Sequence, residues 1–227
     1  MIEHHLFPTL VCQFKYDKHE EFRNTFYRDV WNHMTPEGFS AEFTGHVAIH
    51  HEPSFEPLFR YAVSCAKQYT QRLHIDDVFE FNVVKTWLNI KKDSSTPTHA
   101  HGDAHISFTY YVNIPDDFTR PIRFYNYERR HEPYPGSIRW NNSNGIWDQL
   151  NSMTWQFEPT QGDLFVFPAT LTHDTIGKQM DSMEGATDVE GLNKNRICLA
   201  GDILLTYKQS AAKPLGLQPI ENWKRFE

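Results

Sequence analysis

Residues 98–105 read Thr-His-Ala-His-Gly-Asp-Ala-His, which sets His99, His101, Asp103 and His105 at every second position. Imidazole nitrogen and carboxylate oxygen are metal-ligating groups, and Fe(II) accepts both together. Side chains at i and i+2 of an extended strand share a face, so a straight strand would present all four groups on one surface. A single metal cannot use all four. Gly102 and Asp103 are turn-prone residues, so a bend is expected before His105, leaving one His-x-Asp or His-x-His pair at a strand end. Two histidines and one carboxylate on one face of the ion leave further positions open for substrates, and that set needs one more histidine from a distant strand.

The stretch PTQGDLFVFPATLTHD supplies it: a turn ending in Gly162-Asp163 feeds an apolar strand closed by Pro168, with His173 just beyond. His173 is therefore the expected third ligand to one His-x-Asp or His-x-His pair from residues 99–103, while His105 reads as a surface or core-edge residue. The open metal positions call for a co-ligand whose far carboxylate a buried arginine on a late strand would hold with two parallel hydrogen bonds. Arg196, at the start of RICLAGDILLTYK, stands where such a residue is wanted. Trp87, Tyr110 and Tyr111 are candidates for the pocket wall.

The elements that must position these groups follow from the hydrophobic period. From residue 79 it is two, in segments rich in β-branched and aromatic residues: FEFNVVKTWLNIKK, HISFTYYVNIP, PIRFYNYE, MTWQFEP, DLFVFPA and RICLAGDILLTYK. Six strands without intervening helices, separated by breakers such as PDD, PYPG, NNSNG and PTQGD, predict antiparallel pairing in a sandwich or barrel. Upstream, Phe22, Phe26 and Val30 recur at intervals of four behind Asp17 and Glu20 in capping-box spacing, which predicts a helix. A second helix is expected over 54–72, with Pro57 in its first turn. The polar stretches 128–152 and 176–194 are long for connections in one domain and read as lids or binding loops, the second expected to be mobile without ligand.

The totals bound the rest. At 227 residues the chain is expected to form one domain: helical support over 1–78, a β core over 79–208 and a tail over 209–227. Aromatic residues at 15% suit wide pleated surfaces and exclude disorder as the general state. The formal charge is -7, with 22 scattered basic residues against 29 acidic ones, so phosphate-directed nucleic-acid binding has no basis. The three cysteines have no CxxC spacing and read as buried thiols in a reducing compartment. No stretch approaches 18 apolar residues and the N-terminus lacks a signal pattern, so a soluble, cytoplasmic protein with no membrane contact is expected.

The order LFPTLV, TWLNI, HAHGDAHISFTYYVNIP, PTQGDLFVFPATLTH and NRICLA resembles the Fe(II)/2-oxoglutarate-dependent oxygenase superfamily, in particular its small bacterial and phage members. The resemblance spans most of the chain and is most specific in the two histidine-bearing segments. It implies a mainly β fold with flanking N-terminal helices, the double-stranded β-helix or jelly roll, holding Fe(II), 2-oxoglutarate and O2. It carries the His-x-Asp pair onto His101 and Asp103, the distal histidine onto His173, and the 2-oxoglutarate anchor onto Arg196. A His-x-His pattern in the nearest relatives would fall on His99 and His101 instead. The implied activity is a dioxygenase that hydroxylates a small-molecule or peptide substrate while 2-oxoglutarate is converted to succinate and CO2. The competing expectations are a non-catalytic jelly-roll binding module and a cupin-like metal enzyme that does not use 2-oxoglutarate.

Overall fold

A computed structural model of the chain describes residues 8–30, 48–91, 95–115, 121–127, 152–175, 189–212 and 216–226. All six strands read from the alternating pattern form, as β2 (Phe79–Lys91), β4 (Ile106–Asn113), β5 (Ile122–Tyr125), β6 (Thr154–Phe157), β7 (Asp163–Pro168) and β9 (Arg196–Tyr207). Three short strands join them: β1 (Cys12–Lys15), β3 (Thr96–His99) and β8 (His173–Thr175). The last two carry too few residues for alternation to be visible in sequence, and they carry histidines of the site.

The strands build two antiparallel sheets, one of five strands in the order β1-β7-β4-β9-β2 and one of four in the order β3-β8-β5-β6. In the large sheet β4 and β9 are central, and the first eight residues of each are buried, so both faces of that sheet are covered. One face packs against the helices: Phe22, Phe26, Phe55, Leu58, Ala62 and Cys65 meet Phe108, Tyr110, Leu199 and Ile203 in one core cluster. The other face meets the small sheet, where Tyr111, Phe165, Phe167 and Cys198 pack against Ile122, Phe124 and Phe157. Alternation along β9 therefore sorts Ile197, Leu199 and Ile203 to the helices and Arg196, Cys198, Ala200 and Asp202 to the space between the sheets.

α1 spans His19–Asp29 and α2 spans Glu56–Arg72 with Pro57 in its first turn, after a 3-10 turn at Pro53–Phe55. The expected capping box at Asp17 and Glu20 is not used. Lys18 occupies the cap position without a side-chain hydrogen bond, and the His19 N–H donates to the Tyr16 carbonyl at 3.2 Å. Within the stretch 176–194, residues 189–193 form a short helix, α3 (Val189–Asn193), anchored by buried Leu192. The remainder, 176–188, lies outside the described residues, as does 128–151 of the other long connection. Cys12, Cys65 and Cys198 are free thiols, the last two buried.

The turn before β7 is built by Gly162 at φ 83, a conformation that favours glycine. The Thr160 N–H and hydroxyl donate to Asp163 Oδ2 at 2.6 and 2.9 Å, and the Gly162 N–H donates to the Tyr111 carbonyl at 2.8 Å. This turn fixes where β7 starts, and hence where the chain that runs on to His173 leaves the large sheet.

Candidate metal centre

Three imidazole rings converge at one end of the two sheets. His99 closes β3 and His173 opens β8, and the two are direct partners in the antiparallel register. His101 lies two residues past β3, where its N–H donates to the Ala169 carbonyl at 2.8 Å. One ligand atom from each of the three lies within 4.8 Å of the others, the only such group of three among the described residues. The ring centroids are 4.4 Å apart for His99 and His173, 5.2 Å for His99 and His101, and 5.4 Å for His101 and His173.

Each ring has its Nδ1 tied to an acceptor. His99 Nδ1 contacts the Pro97 carbonyl at 2.7 Å, His173 Nδ1 the Leu171 carbonyl at 2.8 Å, and His101 Nδ1 the Asp202 carboxylate at 2.6 Å. A carbonyl oxygen can only accept, so the proton of the neutral ring sits on Nδ1 and the lone pair on Nε2. Holding ring orientation and tautomer through the second nitrogen is how metal-ligating histidines are generally supported. Burial pushes His173 down to about 4, with His99 and His101 adding to that effect and the Leu171 carbonyl opposing it. Burial likewise lowers His99. Both rings are thus kept in the neutral, ligating form at neutral pH.

The structure brings together His99, His101 and His173. Asp103 stands apart: Gly102 and Asp103 form an exposed bend, and Asp103 lines the rim of an open cavity of about 320 Å³ together with Lys85, Trp87, His99, Ala100 and His101. The bend anticipated from Gly102 and Asp103 does form, and Asp103 is not in the group of three whose ligand atoms converge. His105 is structural: its Nδ1 accepts the Leu205 N–H at 3.0 Å and its backbone bonds Ile203 and Ala169.

Of the aromatic candidates, Trp87 stands beside the cluster, its ring 5.3 Å from that of His101, with the Lys85 ammonium 5.3 Å above its face. Tyr111 faces the space between the sheets. Its neighbour Tyr110 necessarily faces the other way, where its hydroxyl lies 2.6 Å from His19 Nδ1. Phe167 and Phe124 lie 4.9 and 6.1 Å from the His173 ring and shut its inner side from water.

Arg196 is buried on the face of β9 that carries Asp202. Its guanidinium lies 5.3 Å over the Tyr111 ring, with Nη2 3.8 Å from Cys198 Sγ, and it forms no ion pair with a carboxylate among the described residues. The Tyr111 hydroxyl is buried without a hydrogen-bond partner among the described residues. Buried charge normally takes a paired anion, and this guanidinium has none among the described residues. Upstream support comes from Asn113, whose Nδ2 donates to the Asn193 and Asn195 carbonyls at 3.0 and 2.8 Å while its Oδ1 accepts from Arg23 at 3.2 Å.

Asp202 and Ser107 were not singled out from the sequence, although a signal was present. Asp202 is a lone carboxylate inside the apolar run ICLAGDILL, and such a residue must have a partner to be buried there.

Residues 85–184 match the family model described as "Putative 2OG-Fe(II) oxygenase". No curated protein matches the chain. Among solved structures, the fold is similar to the non-heme alpha ketoglutarate dependent epimerase SnoN from nogalamycin biosynthesis, with 9% identity over 96% of this chain and 86% of that one, TM-score 0.51. It is equally similar to AviO1 from Streptomyces viridochromogenes Tue57, with 10% identity over 90% and 92% of the two chains, TM-score 0.51. A 2OG-Fe(II) oxygenase family oxidoreductase from Burkholderia pseudomallei overlaps 57% of this chain at 12% identity and TM-score 0.35, and the chain spans 47% of that protein's length.

Proposed function

We propose that the chain, whose segment 85–184 matches the putative 2OG-Fe(II) oxygenase model and whose fold is similar to that of SnoN, is an Fe(II)- and 2-oxoglutarate-dependent dioxygenase that hydroxylates a small-molecule or peptide substrate. The observation that carries the reading is the trio His99, His101 and His173, each with its Nδ1 held so that Nε2 is free. The donor chemistry fits Fe(II), which accepts imidazole nitrogen. With iron, 2-oxoglutarate and O2 bound, the site supplies oxidation of an unactivated C–H bond coupled to decarboxylation of the co-substrate.

The chain's own residues do the rest. Arg196 and the Tyr111 hydroxyl bind the far carboxylate of 2-oxoglutarate, the first by two parallel hydrogen bonds and the second by one. Between Arg196 and Asp202, the same face of β9 carries only Cys198 and Ala200, small side chains that leave a floor for a five-carbon dicarboxylate. Trp87, Phe124 and Phe167 exclude water around the rings. The open cavity lined by Lys85, Trp87 and Asp103 admits the substrate to the ligated edge. No described helix is long and apolar enough to cross a membrane.

Anaerobic addition of Fe(II) and then 2-oxoglutarate tests the proposal. A visible charge-transfer band that needs both additions is the expected result, and its absence at saturating concentrations would remove 2-oxoglutarate from the reading. A three-histidine set without a carboxylate supports a second reading, a cupin-like metal enzyme that does not use 2-oxoglutarate. It predicts iron binding with no such band.

A further inference from the structure

Asp202 has no exposed surface, and its hydrogen bonds fall on one oxygen. Oδ1 accepts from His101 Nδ1 at 2.6 Å and from Ser107 Oγ at 2.7 Å, while Oδ2 is buried without a partner among the described residues. The other charged group aligned with it is Lys85, opposite it in the β2–β9 register, whose ammonium lies over the Trp87 ring. A buried carboxylate needs nearby positive charge, and a cation held by His101 would lie one ring away from it.

The three histidines differ in this respect. His99 and His173 are backed by neutral carbonyls two residues upstream, Pro97 and Leu171, and only His101 is backed by a carboxylate. That charge comes from β9 of the large sheet, braced by Ser107 of β4, whereas His99 and His173 belong to the small sheet. His101 is thus the ligand through which the large sheet grips the site.

Resting on the three-histidine reading above, we propose that Asp202 is a positioning residue for the metal. With Ser107 it fixes the Nδ1–H tautomer of His101 and aims Nε2. It also sets a full negative charge one hydrogen bond behind a donor set that has no carboxylate of its own. Carboxylate–histidine–metal relays raise ligand basicity, and their loss costs about 10–100-fold in metal affinity. Asp202 thereby supplies, at one remove, the negative charge that a set of three histidines lacks.

The test is titration of the metal-free full chain with Co(II), followed by calorimetry and by ligand-field absorption, for wild type, Asp202→Asn, Asp202→Ala, Ser107→Ala and His173→Ala. Asparagine keeps an acceptor for His101 Nδ1 without the charge. The expected result is an affinity loss of about tenfold for Asp202→Asn and up to about 100-fold for Asp202→Ala, with shifted absorption bands. Ser107→Ala removes one of the two bonds to Oδ1 and should cost a few-fold. That variant decides the matter should the Asp202 variants not fold. Wild-type affinity and bands in the Asp202 and Ser107 variants, with binding lost in His173→Ala, would overturn the role of Asp202 alone. Wild-type protein that binds no Co(II), or that binds it equally after His173→Ala, would overturn the three-histidine site and this inference with it.

Discussion

His99 and His173 face one another across the β3–β8 ladder, paired in register with ring centroids 4.4 Å apart. Cross-strand partners sit close and on one side of a sheet, so the ladder itself sets these two donors side by side. The register slips between Thr96 and His99, which marks the ladder as locally irregular just where the donors sit. His101 completes the trio from beyond the strand end, and Asp103, past the bend, does not take part in it.

Metal binding should accordingly divide the four residues of the motif unevenly. His99→Ala, His101→Ala and His173→Ala should each weaken Fe(II) binding by at least about 100-fold, the upper end of what loss of a supporting partner costs. Asp103→Ala should stay within a few-fold of wild type. Iron content after anaerobic reconstitution and desalting measures this. A loss in Asp103→Ala larger than in His99→Ala would return the site to the His-x-Asp pair.

The metal-free protein should lose stability on mild acidification. His173 titrates near 4 when folded and near its ordinary value, 6.5, when unfolded. Between those values the unfolded chain holds the extra proton, so stability is full above about 6.5 and falls as pH drops toward 4. The loss from this one buried group is on the order of 3 kcal/mol. Urea midpoints at pH 7 and pH 5 report it, and His173→Asn should flatten the difference. An equal pH dependence in that variant would shift the effect to the other histidines that burial lowers, among them His19 and His50.

On the outer side of β8, Asp174 gathers Arg123, Tyr125 and Thr98 from the neighbouring strands, at 2.7, 2.6 and 3.1 Å from its Oδ2. Burial would raise the carboxyl, but the bonds from Arg123 and Tyr125 outweigh it and hold the group below the usual carboxylate range. This clamp keeps β3, β8 and β5 in register behind the histidines. Asp174→Ala should cost about 1–3 kcal/mol, seen as a melting temperature lower by roughly 3–10 °C. Arg123 is partly exposed and can rehydrate, so the loss stays below that of a fully buried pair. Unchanged melting would mean that the ladder hydrogen bonds alone hold the small sheet.

The sequence made some of this legible for physical reasons. Long strands of the large sheet, such as β4 and β9, announce themselves by β-branched and aromatic runs, and His173 by its place after a closed apolar strand. Period-two spacing puts His99 and Asp103 on the same face of a straight strand, so the sequence alone leaves the His-x-His and the His-x-Asp pair both open. The opposite facing of Tyr110 and Tyr111 follows from the same alternation once β4 is placed. The carboxylate of Asp202 inside an apolar run signals a buried partner but not which one, because His101 is 101 residues away in sequence.

The last prediction concerns the floor between the anchor and the metal. Arg196, Cys198, Ala200 and Asp202 project from one face of β9, and Ala200 lies opposite Trp87 on β2 and Thr109 on β4. Arg196→Lys replaces a planar fork with a point charge, so the bidentate hold on a carboxylate is lost. That change should raise the apparent 2-oxoglutarate requirement by roughly thirty- to several hundred-fold, from a loss of about 2–4 kcal/mol, and leave iron content alone. Ala200→Leu tests the route rather than the anchor. Its added methylenes would stand where the dicarboxylate backbone should lie, abolishing the 2-oxoglutarate-dependent absorption while the histidines still take up Fe(II). Succinate formed in the absence of any added substrate gives a second readout for both variants. A 2-oxoglutarate dependence that survives Ala200→Leu would place the co-substrate off the β9 face, and with it the anchor away from Arg196.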